Sequence, residues 1–392
     1  MIKRKTYRVK EKNLVRVSDL EKRLKKAREI SNFKARHVHV IGAGTMGMGI
    51  ATWCALKGIR VTLQDISEET IQSAIEFARK YFRERNHVES ESNLIPDHDG
   101  SFISDADIVI ESIIEVLEAK QMLLKRIETI TKNETILATN TSSLSLKELG
   151  SSLKNPTRLV GLHFFNPVTE MELVEVVKGP ETSRESLNNS LAFLGQIDKL
   201  PLQVKGSPGF LLNRTFVPYI IEAMRLLNEG AEAGFIDRAM ENFGMNVGPI
   251  ILMDTVGLEI CLQVCENLTK NPKKEIPELI YNLVKSGKLG QKTGEGFYRY
   301  ENNRPVEKSE YTKRKVGKEV TESEIQNRLI KPFLIAAESI LDEGVVSDSD
   351  LFDAGIILGA GFPKWTGGPI NYAKQKGIYR DLISKIDSHK AH

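Results

Sequence analysis

The sequence predicts an α/β chain: a doubly wound, mostly parallel sheet followed by an all-α region made of two related helical units. Three observations carry this. Short Val/Ile/Leu runs alternate with helical patterns from residue 37 to about 205. The strand signal fades past Pro208. The helical patterns that follow repeat at one fixed offset, 327 − 213 = 114 residues.

The first strand is Val38 to Ile41, followed by a helix over Met46 to Lys57 and a second strand from Arg60 to Asp65. Ser67 is placed to cap the next helix through the amide of Thr70. Asp107 to Glu111, Thr135 to Ala138, Leu159 to Phe165, Leu173 to Val177 and Leu200 to Val204 read as further strands. Continuous apolar runs are what strands show when helices cover both faces, and alternation with helices implies a parallel sheet. Between Arg85 and Asp105 the chain is polar and without period, which predicts a loop.

The offset of 114 aligns Asn213-Arg214 with Asn327-Arg328, Pro218 with Pro332, Ala223 with Ala337 and Glu229-Gly230 with Glu343-Gly344. Gly248-Pro249 is echoed by Gly368-Pro369. So many identities at one spacing indicate a duplicated unit rather than two amphipathic helices alike by chance. The expected organisation is a basic extension over 1–36, a sheet domain over 37–205, helical units over 206–300 and 320–392, and a charged linker over 301–319.

Composition narrows the classes. A net charge of +3 on 392 residues argues against a nucleic-acid binder. The basic excess is local, with fourteen Lys or Arg against four acids in residues 1–36, and reads as a solvated helix or linker. No apolar run approaches a membrane span, and the charged N-terminus lacks a secretory apolar core. Cys54, Cys261 and Cys265 form no metal spacing and no disulfide framework, so no metal is expected and a reducing, cytoplasmic setting is.

Gly42-Ala43-Gly44-Thr45-Met46-Gly47 follows an apolar strand and opens a helix. In that context the pattern is a dinucleotide fingerprint of the Rossmann type. Gly42 permits the turn, Gly44 admits a pyrophosphate, Gly47 allows close helix–strand packing, and the helix N-terminus favours negative charge. Asp65 ends the next strand 65 − 44 = 21 residues later, where a carboxylate accepts from the adenosine ribose and repels a 2′-phosphate. The expected cofactor is NAD.

His163 lies near the end of an apolar run that Asn166-Pro167 terminates, and Glu175 lies 175 − 163 = 12 residues on, in the next strand. A buried carboxylate there needs a partner. Ser142 adds a hydroxyl at the end of an earlier strand. An imidazole held by a carboxylate can take the proton of an alcohol. A histidine at such a place is as often a satisfied core residue.

The motifs VIGAGTMGMGIA at 40–51, ATNTSSLS at 138–145, GLHFFNPV at 161–168, LVEVV at 173–177, SPGFLLNR at 207–214 and KTGEGFY at 292–298 resemble the (S)-3-hydroxyacyl-CoA dehydrogenase family. The second helical unit resembles the duplicated unit in the dehydrogenase half of bifunctional fatty-acid oxidation proteins. The resemblance implies NAD-dependent, reversible oxidation of a 3-hydroxyacyl-CoA to the 3-ketoacyl-CoA. It implies His163 as base, Glu175 as its orienting acid, and Ser142 and Asn213 as partners of the substrate oxygen. Asn166 would steady the His–Glu pair. Gly42, Gly44, Thr45, Met46, Gly47, Asp65, Glu115, Lys120, Ser142 and Lys292 would lie at NAD. Lys120 and Lys292 read almost equally well as a solvated helix residue and a turn cap.

In simpler family members two chains pair through single helical units, so the tandem copy implies an intrachain pseudo-dimer and leaves room for a homodimer. A hydratase partner is a further expectation. One rival is a dehydrogenase of a small hydroxy acid without CoA. Another is a non-catalytic partner subunit of a hydratase. Residues 85–102 depart from the family's helical pattern, where Lys80, Arg83 and Arg85 stand near the end of a helix.

Overall fold

The structure is a computed structural model that describes residues 2–302, 304–308 and 320–388, with backbone alone at 2–8, 307–308 and 388. The chain divides into two compact units, one of residues 18–210 and one of residues 1–17 and 211–392. A long basic helix, α1 (Ile2–Ala27), supplies the first residues of both.

The chain then runs β1 (His37–Ile41), α2 (Thr45–Leu56), β2 (Arg60–Gln64), α3 (Glu68–Glu84), β3 (Leu94–Pro96), β4 (Ile108–Glu111) and α4 (Leu117–Ile130). It continues with β5 (Ile136–Thr139), α5 (Leu146–Gly150), β6 (Leu159–Phe164), β7 (Leu173–Lys178), α6 (Arg184–Gln196) and β8 (Leu200–Lys205). The eight strands form one sheet in the order β3-β2-β1-β4-β5-β6-β7-β8. All neighbours are parallel except β6 and β7. The order reverses beside β1, the switch point where open α/β sheets bind ligands. β1, β4, β6 and nearly all of β7 are buried along their length, which is why they read as unbroken apolar runs. Val38, Val40, Ile50, Cys54 and Phe82 form part of one core, and Val109, Leu124 and Leu137 belong to a second.

The segment expected as a loop from Arg85 to Asp105 contains a 3-10 turn at Val88–Asn93 and β3, the sheet's edge strand. Three residues are too few to show a period, and Pro96 is tolerated because it ends an edge strand. Asp97 then closes the turn by accepting from Ser101 N at 2.9 Å and Phe102 N at 3.1 Å.

The second unit holds α7 (Leu212–Asn228), α8 (Ala233–Phe243), α9 (Pro249–Val256), α10 (Leu258–Leu268), α11 (Pro272–Glu275) and α12 (Glu278–Lys285). A hairpin of β9 (Tyr298–Glu301) and β10 (Arg304–Lys308) follows. Then come α13 (Glu322–Asp342), α14 (Ser349–Ala360), α15 (Pro369–Lys376) and α16 (Arg380–Ser388). The stretch expected as linker over 301–319 therefore begins inside a hairpin, and its residues 309–319 lie outside the described residues.

The sequence repeat has a spatial counterpart. α7 packs on α13, and Arg214 binds Glu343 while its counterpart Arg328 binds Glu229, the counterpart of Glu343. Tyr219 and Phe333, also 333 − 219 = 114 apart, meet with ring centroids 5.0 Å apart and planes tilted by 50°. Reciprocal pairs around a self-contact are the signature of a two-fold axis. Here both halves belong to one chain.

Candidate active site

Residue identities at the strand ends build the site. The parallel strands β1, β4, β5 and β6 end on the same edge, and hydrogen bonds join their ends in series. Ser112 N donates to Ile41 O at 2.7 Å and Asn140 N to Glu111 O at 2.9 Å. The Asn140 side-chain oxygen then accepts from Phe164 N at 2.9 Å. The glycine turn, the Ser142 turn and His163 are thereby held on one framework.

The turn after β1 has the shape a dinucleotide needs. Gly42 has φ +97°, and a Cβ there would lie 2.5 Å from Ser112 O. A Cβ on Gly47 would lie 1.7 Å from Gly42 O, so the helix sits directly on the turn. Around Gly44 a Cβ would meet nothing within 4 Å. Its glycine leaves open space beside the first N–H groups of α2, where Thr45 and Met46 stand, and this suits a pyrophosphate. Asp65 accepts from Ala43 N at 2.7 Å and Ser67 N at 3.1 Å, which fixes its carboxylate beside the turn. The residues present fit the cofactor that the fingerprint calls for.

His163 and Glu175 are direct partners in the antiparallel register of β6 and β7. His163 Nδ1 lies 2.7 Å from Glu175 Oε2, and Glu175 is fully buried. A carboxylate accepts, so Nδ1 carries the proton and the lone pair of the neutral ring lies on Nε2. Phe165 and Phe210 meet the imidazole edge to face at 4.6 and 5.5 Å and limit its rotation. Such a pair can serve as a base with a fixed tautomer.

Ser142 lies in the turn after β5. Glu115 Oε1 accepts from Ser142 N at 2.9 Å, Ser143 N at 3.0 Å and Thr141 Oγ1 at 2.5 Å. Burial works to raise the Glu115 carboxyl, but Lys120, the Thr141 hydroxyl and the two amides outweigh it and hold it below the ordinary carboxylate range. Lys120 is 1% exposed. Its ammonium donates to both oxygens of Glu111, at 3.0 and 2.8 Å, and to Ile113 O at 3.3 Å. With three donors engaged inside the protein, it would have to break one of these bonds to reach the cofactor. Reading the residues did not single out Glu111 or Asn140. The available signal was an acid closing the apolar run Ile108–Glu111, since a buried acid needs a cation, and Lys120 follows nine positions later.

The other expected residues are placed as follows. Asn166 is exposed, and no hydrogen bond joins it to His163 or Glu175 among the described residues. Asn213 opens α7, and Lys292 lies in the turn before β9 paired with Glu259, both in the helical unit. Lys80 pairs with Glu84 at 3.9 Å, Arg83 with Glu91 at 3.2 Å, and Arg85 stacks on Tyr81. Among the described residues no group of three or more His, Cys, Asp or Glu is arranged to hold a metal ion.

Comparison with known proteins identifies the family. A model described as the NAD-binding domain of 3-hydroxyacyl-CoA dehydrogenase matches residues 37–207, and one for the C-terminal domain matches residues 209–300. The chain belongs to the 3-hydroxyacyl-CoA dehydrogenase family. It has the family's NAD-binding sheet domain and an all-helical C-terminal region. An (S)-3-hydroxybutyryl-CoA dehydrogenase from Ralstonia eutropha is 35% identical, with a TM-score of 0.64 over 69% of this chain and 100% of that one. A 3-hydroxybutyryl-CoA dehydrogenase from Escherichia coli is 27% identical, with a TM-score of 0.76 over 92% and 95% of the two chains. The fatty acid oxidation complex subunit alpha of Pseudomonas putida is 34% identical over 94% of this chain and 54% of its own length. The chain thus spans about half the length of the curated relatives it matches. No helix among the described residues is long and apolar enough to cross a membrane.

Proposed function

We propose that the chain catalyses the reversible oxidation of an (S)-3-hydroxyacyl-CoA to the 3-ketoacyl-CoA. The observation that carries this is the His163–Glu175 pair, in register on the edge that also bears the glycine turn. His163 Nε2 accepts the proton of the C3 hydroxyl. Glu175, fully buried against Nδ1, stabilises the imidazolium that results. The Ser142 hydroxyl, which donates to Glu115 Oε1 at 3.4 Å, would turn from it to donate to the C3 oxygen when substrate binds. NAD, when bound, supplies the hydride acceptor. The likeness to 3-hydroxybutyryl-CoA dehydrogenases supports a short acyl chain.

The test follows NADH formation with 3-hydroxybutyryl-CoA and with free 3-hydroxybutyrate. The CoA ester should be oxidised and the free acid not; equal rates would favour a small-hydroxy-acid dehydrogenase. His163→Gln should lower kcat by about 10²–10⁴-fold while NAD affinity holds. Wild-type turnover by that variant would remove His163 from the chemistry.

A second reading concerns assembly. The match to complex alpha subunits over 94% of this chain supports a hydratase partner, and the reciprocal α7–α13 contacts support a helical region that needs no second copy. The buried, unpaired thiols of Cys54, Cys261 and Cys265 support a reducing cytoplasm.

A further inference from the structure

We infer that Glu111 is a positioning residue of this site: through Lys120 and Glu115 it fixes the turn that presents Ser142. The inference rests on the dehydrogenase reading for its kinetic consequence but on geometry alone for its structural one.

Glu111 is the last residue of β4 and is fully buried. Its two oxygens meet Lys120 Nζ at 3.0 and 2.8 Å, and the Thr139 hydroxyl donates to Oε1. Ile113 N donates to Oε2 at 3.3 Å. Thr139 Oγ1 in turn accepts from Thr141 N at 3.3 Å. Lys120 also faces Glu115 Oε2 at 3.5 Å, while Glu115 Oε1 gathers the Ser142 and Ser143 amides. Two routes therefore lead from Glu111 to the same turn, one through Thr139 and one through Lys120 and Glu115.

Charge explains why Glu111 is needed. Without it, the Lys120 ammonium, itself 1% exposed, would have only Glu115 as a counter-charge and would draw that carboxylate down toward its own position. Glu115 would leave the amides of Ser142 and Ser143, and the turn would lose its acceptor. Glu111 neutralises Lys120 from below, which lets Glu115 spend its other oxygen on the turn. A dry lysine between two carboxylates is thus a spacer that sets the height of the Ser142 loop. Direct contact between Lys120 and the cofactor forms no part of this arrangement.

The test compares Glu111→Gln with the double variant Glu111→Leu, Lys120→Met, which replaces the buried ion pair by apolar side chains of similar size and can keep stability. Amide hydrogen exchange is read at residues 140–144 and, as a control, in α6. In the double variant, which also removes the ammonium that would draw Glu115 away, the 140–144 amides should exchange near the parent rate; in Glu111→Gln they should exchange about tenfold faster while α6 keeps its protection. In Glu111→Gln the kcat should fall about tenfold, with NAD affinity within about twofold. Faster exchange everywhere in Glu111→Gln, or exchange as fast in the double variant as in Glu111→Gln, would reduce Glu111 to a general stability role and overturn the proposal. A loss confined to NAD affinity would overturn it too, by placing the triad at the cofactor. If no acyl-CoA is turned over by the parent protein, the exchange measurement still decides the structural claim.

Discussion

Asp237 and Asp353 hold the same place in the two helical repeats, yet their surroundings differ. Each sits beneath the Gly-Pro start of a short helix. A Cβ on Gly248 would lie 2.2 Å from Asp237 Oδ1, and one on Gly368 would lie 2.2 Å from Asp353 Cγ. Asp237 accepts from Ile250 N at 2.8 Å and Asp353 from Ile370 N at 2.9 Å. The second oxygen tells the copies apart. Asp237 takes the Tyr298 hydroxyl at 2.6 Å, delivered by β9. Asp353 takes the Arg16 guanidinium at 3.0 Å, delivered by α1 from the far end of the sequence. Arg16 also donates to Gly367 O and Asp350, and Asn13 beside it donates to Trp365 O. A duplicated unit kept its buried acid, and where the hairpin partner of the first copy has no described counterpart, a helix from the N-terminus serves instead. The lesson is that a buried carboxylate constrains what must cover it more strongly than which element does the covering.

The largest effect should come from removing the charged cover. Arg16→Met leaves Asp353 buried without a counter-charge and should cost about 3–5 kcal/mol of stability at pH 8. Burial already pushes the Asp353 carboxyl up to about 7 against the opposing pull of Arg16. Removing Arg16 raises it further. The folded variant then binds its proton more tightly than the unfolded chain, so its stability falls more steeply as pH rises past 7. At pH 5 the carboxyl is neutral in the folded state and only hydrogen bonds are lost, costing about 1–2 kcal/mol. Urea unfolding at the two pH values measures both. Equal losses at pH 5 and 8 would mean that Arg16 acts by packing rather than by charge.

The uncharged cover predicts a smaller, pH-dependent effect. Burial pushes Asp237 up to about 7, with Tyr298 and the Ile250 amide pulling the other way. Its unfolded value is near 3.9. A raised carboxyl contributes stability that is complete below about pH 4 and is lost as pH rises through 7. Asp237→Asn removes that titration while keeping an acceptor for Ile250 N. The stability of the parent should therefore decline relative to the variant between pH 4 and 8. A constant difference across that range would show that Asp237 stays ionised in the fold.

How much of this was legible beforehand follows from the range of each interaction. The fingerprint at 42–47 and the sheet strands could be read because turn chemistry and burial leave local patterns. The pairing of His163 with Glu175 could be expected, because β6 and β7 are joined by a short connection and the antiparallel register follows from it. β3 was missed because three residues and a proline carry no period. Glu111 was missed for another reason. Its partners Lys120 and Thr139 come from separate elements, and one acid at the end of an apolar run does not announce which cation will reach it. Arg16 is the extreme case. The basic stretch in residues 1–36 looks like solvated charge, and only the three-dimensional neighbour at Asp353 distinguishes one arginine from the other basic residues there.

The smallest effect tests the symmetry itself. Arg214 and Arg328 make equivalent pairs, with Glu343 and Glu229, but Arg328 also reaches Glu222 at 2.6 Å. These pairs are partly exposed, with carboxylates 47% and 51% accessible, so salt and solvent screen them. Arg214→Ala and Arg328→Ala should each cost about 0.2–1 kcal/mol, with the Arg328 change the larger because it also loses the less exposed carboxylate of Glu222. The two costs should add, since the pairs share no partner. If the double variant instead loses several times the sum, or the protein pairs with a second copy once the arginines are gone, then α7 and α13 are held together by these rims rather than by the Tyr219–Phe333 contact between them. Size-exclusion light scattering beside urea unfolding separates the outcomes. A chain that stays monomeric with additive losses places the strength of the pseudo-two-fold contact in its buried aromatic centre.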